Sequence, residues 1–208
     1  MAFQGDVIPR VIHQVWIGPK PAPRQWMDGW ESRHPGWQYT LWDAERITGM
    51  GLAHRGLWDA YCRDGRWCGA VNVARVDILA QFGGVYVDSD MECVTPLEGA
   101  PFLRSGMFAC WSPNNSARVT NAVLGCTPGH PGILEYQRLL GDVDVTDVHP
   151  SWVKTGAGIL TPIMTSRDDV EILPSGAFLP TRMNGRPGPG YDGIVYGSHQ
   201  WGTTHDRY

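Results

Sequence analysis

The 208-residue sequence has no basic block, and its formal net charge is −4. Nucleic-acid binding therefore has little electrostatic support. It has no paired cysteine motif either. The five cysteines (Cys62, Cys68, Cys93, Cys110 and Cys126) are odd in number and contain no CxxC. That argues against a disulfide scaffold and a zinc knuckle, and for free thiols in a reducing, cytoplasmic setting. No apolar run approaches the roughly 20 residues of a membrane span, so no transmembrane segment is expected. The opening MAFQGDVIPR carries no apolar signal region. Internal repeats and low-complexity tracts are also missing.

What is plentiful is glycine, proline and tryptophan. With 26 glycines and 16 prolines the chain is rich in turns. Ten tryptophans exceed what stacking on a ligand ring alone requires, so many must fill core. The length suits one domain over residues 1–208, and 42% hydrophobic residues can bury a sizeable interior.

The element pattern alternates. RVIHQVWI (10–17) reads as a strand. RQWMDGWESR reads as a short helix with Trp26 and Trp30 on one face. PGWQYTLWD makes a turn and a second strand, with Asp43 placed to cap a following helix. GAVNVARVDILAQF (69–82) has helical spacing: Val71, Ala74, Ile78 and Phe82 form an apolar face, and Asn72, Arg75 and Leu79 an adjacent stripe. Gly83 stops that helix, and GVYVD follows as a strand. GMFACW reads as a strand, ARVTNAVLG and GILEYQRLL as helices, and VEILP and IVYGS as short strands. NGRPGPGYDG (184–193) reads as a loop and a candidate lid, with Arg186 placed to meet phosphate. Such alternation predicts an α/β fold with a sheet covered on both faces.

The chemistry centres on GGVYVDSDMEC. A buried strand runs into Asp88 and Asp90 at its C-terminal end, where open α/β sheets bind ligands. In extended backbone the two carboxylates project together and Ser89 points away. Two such groups repel unless a cation lies between them. Oxygen ligands suit a hard ion, Mg²⁺ or Mn²⁺, which commonly also binds a diphosphate.

The block NVARVDILAQFGGVYVDSDMECVTPL resembles the sugar-binding DxD region of the family 32 and initiating-mannosyltransferase-like glycosyltransferases. It is more distantly similar to the glucosyltransferase domains of clostridial toxins. IPRVIHQVWIGPKPAP, KTGAGILTPIM, ILPSGAFLP and YGSHQWGT resemble other blocks of those enzymes, in the same order. The resemblance implies a GT-A fold with a Rossmann-like, mostly parallel central sheet flanked by helices. It also implies a UDP- or GDP-linked sugar donor, a divalent metal and retention at the anomeric carbon. The acceptor would be a hydroxyl of a glycan, glycolipid or protein. Carried over residue by residue, Asp88 and Asp90 hold the metal, Trp16 stacks on the base and Arg75 bonds the donor. Asn72 stands where most relatives have aspartate, so its part in orienting the sugar is altered.

For a third metal ligand His199 and His205 both stand open, and imidazole suits Mn²⁺ better than Mg²⁺. His13 is expected in the core and Asp77 in a structural role. Gly156 and Gly158 suggest a backbone approaching the donor or an ordinary tight turn. Two alternatives accompany the transferase reading. One is a catalytically silent nucleotide-sugar-binding module. The other is an aspartate-dependent phosphatase, to which VYVDSDMECV has a weak likeness.

Overall fold

The computed structural model describes residues 7–144, 146, 150–202, 204, 205 and 207. In chain order the elements begin with β1 (Val11–Val15), α1 (Arg24–Ser32), β2 (Gln38–Trp42), α2 (Ala44–Gly49) and α3 (Arg55–Arg63). The central part is α4 (Trp67–Phe82), β3 (Gly84–Val87), β4 (Met91–Cys93), β5 (Met107–Trp111) and β6 (Val119–Cys126). It ends with α5 (Pro131–Leu140), α6 (Ser151–Lys154), α7 (Ala157–Thr165), β7 (Glu171–Leu173) and β8 (Gly197–His199).

Six strands form one sheet in the order β2-β1-β3-β6-β5-β7. The β1–β2, β1–β3 and β5–β7 pairings are parallel, and β6 runs antiparallel to β3 and β5. A separate two-stranded antiparallel ribbon joins β4 to β8. Alternation along the strands feeds two apolar layers. Tyr86 packs with α3, α4, α5 and α7 on one face; its neighbours Val85 and Val87 pack with Phe102, Phe108 and Phe178 on the other. This is the α/β sheet that the alternation predicts, mostly parallel as the resemblance implies.

Several local expectations hold for identifiable reasons. The Asp43 carboxylate accepts from Arg46 N at 2.9 Å and caps α2. Gly83, at φ 62°, ends α4, and Gly84, at φ 87°, opens β3. There a Cβ on Gly84 would lie 2.6 Å from the Val11 carbonyl oxygen.

Other expectations are corrected. ARVTNAVLG is not a helix: its core is β6, hydrogen-bonded to β3 on one side and β5 on the other. The spacing of Val119, Ala122 and Val123 fits a helix, but the β-branched residues satisfy two strand partners at once. Helix α4 does not have one apolar face. It is buried nearly all round, with Asn72, Arg75 and Asp77 among its buried residues, while Phe82 is exposed. The short strand read in IVYGS begins only at Gly197.

Candidate functional site

Strand β3 stops at Val87, and the chain turns at once, with Met91 N donating to the Asp88 carbonyl at 3.0 Å. The two aspartates therefore converge through a turn, not through extended backbone. Ser89 is turned back onto β1, its hydroxyl donating to the Val15 carbonyl at 2.7 Å. The same turn sends the chain into β4, which pairs with β8 and brings His199 opposite Met91.

The result is a cluster of two carboxylates and an imidazole. His199 Nε2 lies 3.4 Å from Asp90 Oδ1 and 3.6 Å from Asp88 Oδ2. One ligand atom from each residue falls within 4.8 Å of the others, the one such group among the described residues. The outer oxygens are tied down. Asp90 Oδ2 accepts from Gly202 N at 2.7 Å. Asp88 Oδ1 accepts from Tyr86 Oη at 2.9 Å and lies 3.0 Å from Arg75 Nη2. The Trp201 N–H donates to His199 Nδ1 at 3.1 Å, which turns Nε2 toward the carboxylates. Trp201 is the one non-glycine residue with positive φ among those described, at 53°.

The two carboxyls are held differently. Burial acts to raise Asp88, but Arg75, then His199 and the Tyr86 hydroxyl, outweigh it and hold this carboxyl below its ordinary value. Burial raises Asp90, and neighbouring Asp88 adds to the rise against the pull of His199.

The cluster opens into a cavity of about 670 Å³. Trp16, Ile17, Pro19 and Lys20 line it after β1, and Arg66, Trp67, Cys68 and Val71 line it from the start of α4. Asn72, Arg75 and Asn121 also line it, as do Ser151 and Trp152 of α6. Four of the ten tryptophans line this space, at positions 16, 67, 152 and 201, while Trp30, Trp42 and Trp58 are buried core. The core use inferred for tryptophan is present. A second cavity, about 510 Å³, lies between α3 and the end of α5, lined by His54, Leu57 and Leu140 among others.

Of the residues singled out from sequence, Trp16, Asn72, Arg75, Asp88, Asp90 and His199 all meet in this space. His205 does not: it is exposed and lies outside the cluster. Gly156 is not among the residues lining the cavity. It is buried behind the wall, where a Cβ would meet Asn121 Nδ2 at 3.1 Å and the Trp152 backbone at 3.0 Å. Its bareness makes room for Asn121, not for a ligand. Gly158 likewise packs on Val153. No residue of the 184–193 loop, Arg186 included, lines the cavity.

His13 and Asp77 are structural. The Trp42 indole N–H donates to His13 Nδ1, so the proton sits on Nε2 and is donated to the Gly83 carbonyl. Asp77 accepts from Ala53 N and Gln137 Nε2. Asn121 and Trp201 were missed from sequence. Asn121 sits in the segment misread as helix, and Trp201 follows His199 with only its own block to mark it.

Residues 23–108 match the family profile described as the glycosyltransferase sugar-binding region containing DXD motif. The chain is 30% identical over 146 residues to inositol phosphoceramide mannosyltransferase 3 of Schizosaccharomyces pombe, covering 66% of this chain and 38% of that protein. It is 32% identical over 133 residues to inositol phosphoceramide mannosyltransferase 1 of the same organism, covering 61% and 40%. It thus spans about two fifths of the length of these relatives. Among solved structures it superposes on PaToxG glycosyltransferase with a TM-score of 0.66 at 14% identity, over 78% of this chain and 71% of that one. The UDP-bound glycosyltransferase domain of the YGT toxin superposes with a TM-score of 0.54 at 9% identity, over 81% and 80%. Residues 23–108 are thus similar to the DXD-containing sugar-binding region of the glycosyltransferases, and the fold is the GT-A fold of these toxin domains.

Proposed function

We propose that the chain transfers a sugar from a UDP- or GDP-linked donor to a hydroxyl of a glycan, glycolipid or protein, with retention at the anomeric carbon. The observation that carries this reading is the Asp88–Asp90–His199 cluster at the floor of a tryptophan-walled cavity. Two oxygen donors and one nitrogen donor converge there, a set that suits Mn²⁺ and tolerates Mg²⁺. Asp88, Asp90 and His199 through Nε2 would hold such an ion. An ion bound there supplies Lewis-acid charge to the departing diphosphate.

This chain's residues do the rest. The Trp16 indole, fixed by its N–H bond to the Lys20 carbonyl at 2.9 Å, offers a face for the base. Arg75 keeps Asp88 ionised, and its Nε is the one fully buried side-chain nitrogen or oxygen without a partner among the described residues. Asp88 and Asp90 are the only carboxylates among the described residues lining the cavity, and both point at the ion cluster. No further carboxylate is available there as a covalent nucleophile. Front-face transfer fits: the acceptor oxygen bonds to the anomeric carbon as its bond to phosphate oxygen breaks, and that phosphate oxygen takes the acceptor's proton. Unpaired thiols at all five cysteines are consistent with a cytoplasmic setting. Among the described residues no helix is long and apolar enough to cross a membrane.

The test is a nucleotide-sugar screen by thermal shift and donor hydrolysis, with Mn²⁺ and with chelator. One donor should raise the melting temperature only with metal and be hydrolysed slowly. Binding without turnover on any acceptor would favour a silent module. Metal-independent phosphate release from simple phosphoesters would favour the phosphatase alternative.

A further inference from the structure

Two of the tryptophans that line the cavity, Trp152 and Trp201, are linked again outside it. The Arg118 guanidinium carbon sits 4.3 Å above the Trp152 ring. The Trp201 indole N–H donates to the Thr181 carbonyl at 3.3 Å. Arg118 closes a tight loop after β5. Ser112 N donates to its carbonyl at 2.8 Å, and its own N–H donates to the Asn115 carbonyl at 3.0 Å. Thr181 opens a small hairpin by pairing with Pro187, and Arg182 N donates to the Arg186 carbonyl at 2.8 Å. The two arms meet where Met183 N donates to Asn114 Oδ1 at 2.9 Å. Loop and hairpin thus form one rim beside the cavity. The loop leaves β5 at the sheet end where β1 and β3 deliver Trp16 and Asp88, because β6 runs antiparallel to both β3 and β5.

The chemistry of this rim departs from that of the chain. The whole sequence is acidic, with a formal net charge of −4. Segments 112–118 and 180–190 carry Arg118, Arg182 and Arg186 and not one acidic residue. All three arginines are exposed, and none has a carboxylate partner among the described residues. Apolar side chains stand among them: Trp152 is 44% exposed and Met183, near the hairpin tip, 46%. The phosphate role read for Arg186 has no place inside the cavity, whose lining does not include it.

We propose that this rim docks on an anionic lipid bilayer. The arginines meet headgroup phosphates, the Trp152 indole lies at headgroup level, and Met183 enters the acyl boundary. The mixture of cations with apolar side chains favours a lipid surface over an anionic glycan, which would pair with the arginines and leave Met183 in water. Docking in this way sets the cavity against the headgroup layer. The inference goes beyond the transfer reading and does not depend on it, since no residue of the metal cluster takes part.

The test is co-sedimentation of the whole chain with vesicles, without metal or donor. One set of vesicles is phosphatidylcholine alone, and the other is equal parts phosphatidylcholine and phosphatidylserine. The chain should bind the anionic vesicles and not the neutral ones, and added salt should weaken the binding. Arg182→Glu with Arg186→Glu should weaken it at least about tenfold, the scale of two basic side chains at a charged surface. Met183→Ser should weaken it about fivefold, the scale of part of one apolar side chain returned to water. Arg118→Glu decides the matter if the double variant does not fold. Arg10→Glu with Arg104→Glu makes the same change of net charge at the opposite end of the sheet, before β1 and β5, and should leave binding unchanged. No binding to anionic vesicles, equal binding to neutral ones, or equal loss in the two double variants overturns the proposal. Retention on heparin without vesicle binding also overturns it, and would make an anionic glycan the occupant.

Discussion

Arg75 Nη2 lies 3.0 Å from Asp88 Oδ1, and the Arg75 guanidinium carbon sits 4.3 Å above the Tyr86 ring. The cation is thus held from two sides, and the carboxylate it faces belongs to the Asp88–Asp90–His199 cluster. Arg75 is 4% exposed and Asp88 24%. Removing one partner from so enclosed a pair strands the other.

Arg75→Ala should therefore cost about 3 kcal/mol of stability, the scale for breaking a buried ion pair. Arg75→Lys should recover only part of it, since an ammonium cannot bond the Asn121 carbonyl and Asp88 in the same fork. Chemical denaturation of the three proteins measures both. An alanine variant as stable as the parent would show the pair to be ornamental.

Asp90→Ala should leave the sheet intact, because its tertiary ties are to Gly202 N and His199, away from the main strands. Transfer and donor hydrolysis should fall by at least about a hundredfold, the scale of lost charge stabilisation in the transition state. Circular dichroism and a hydrolysis assay on the same preparation check the two halves. Near-parental hydrolysis would remove the metal from the mechanism.

His199→Ala should weaken Mn²⁺ binding and abolish metal-dependent thermal stabilisation by the donor, whereas His205→Ala should do neither. His199 meets both aspartates and His205 lies outside their cluster. A Mn²⁺ titration followed by electron paramagnetic resonance distinguishes them. The reverse ranking would move the third ligand.

His13 gives the fold an acid-sensitive joint. Burial outweighs the Gly83 carbonyl and lowers its pKa from 6.5 to about 4. The unfolded chain therefore binds this proton at a higher pH than the folded one. Stability is full above about pH 6.5 and declines as pH falls toward 4, by about 3 kcal/mol from this group at that end. Carboxylates add their own slopes, so the check is a difference. Urea midpoints between pH 7.5 and 4.5 should fall less steeply in His13→Asn than in the parent.

Gly84→Ala should cost at least about 2 kcal/mol, since alanine must adopt positive φ while its Cβ presses on backbone. At this position φ is 87° and the Val11 carbonyl would lie 2.6 Å away. A melting curve within a degree of the parent would contradict the β1–β3 packing described.

How much of this was legible in the sequence depends on how local each cause is. Asp43 as a cap and Gly83 as a stop are written in neighbouring residues, and both hold. The convergence of Asp88 and Asp90 was legible, though the reason given, strand alternation, was not the one at work. Strand β6 was not legible, because its Val and Ala spacing fits either period and only β3 and β5 decide between them. Asn121 was hidden for the same reason: a residue cannot be placed in a site when its element is misread. Gly156 was read as approaching the donor or as a tight turn; a Cβ there would meet the Trp152 backbone and Asn121 Nδ2.

The tie between Gly202 N and Asp90 Oδ2 spans 112 positions of the chain, and His199 comes from the same late segment. During synthesis the strands of the main sheet emerge before this segment does. A nascent chain can therefore fold its scaffold while the ion cage is still missing its third wall. Closure of the cage should therefore be a discrete event, set by the docking of β8 on β4.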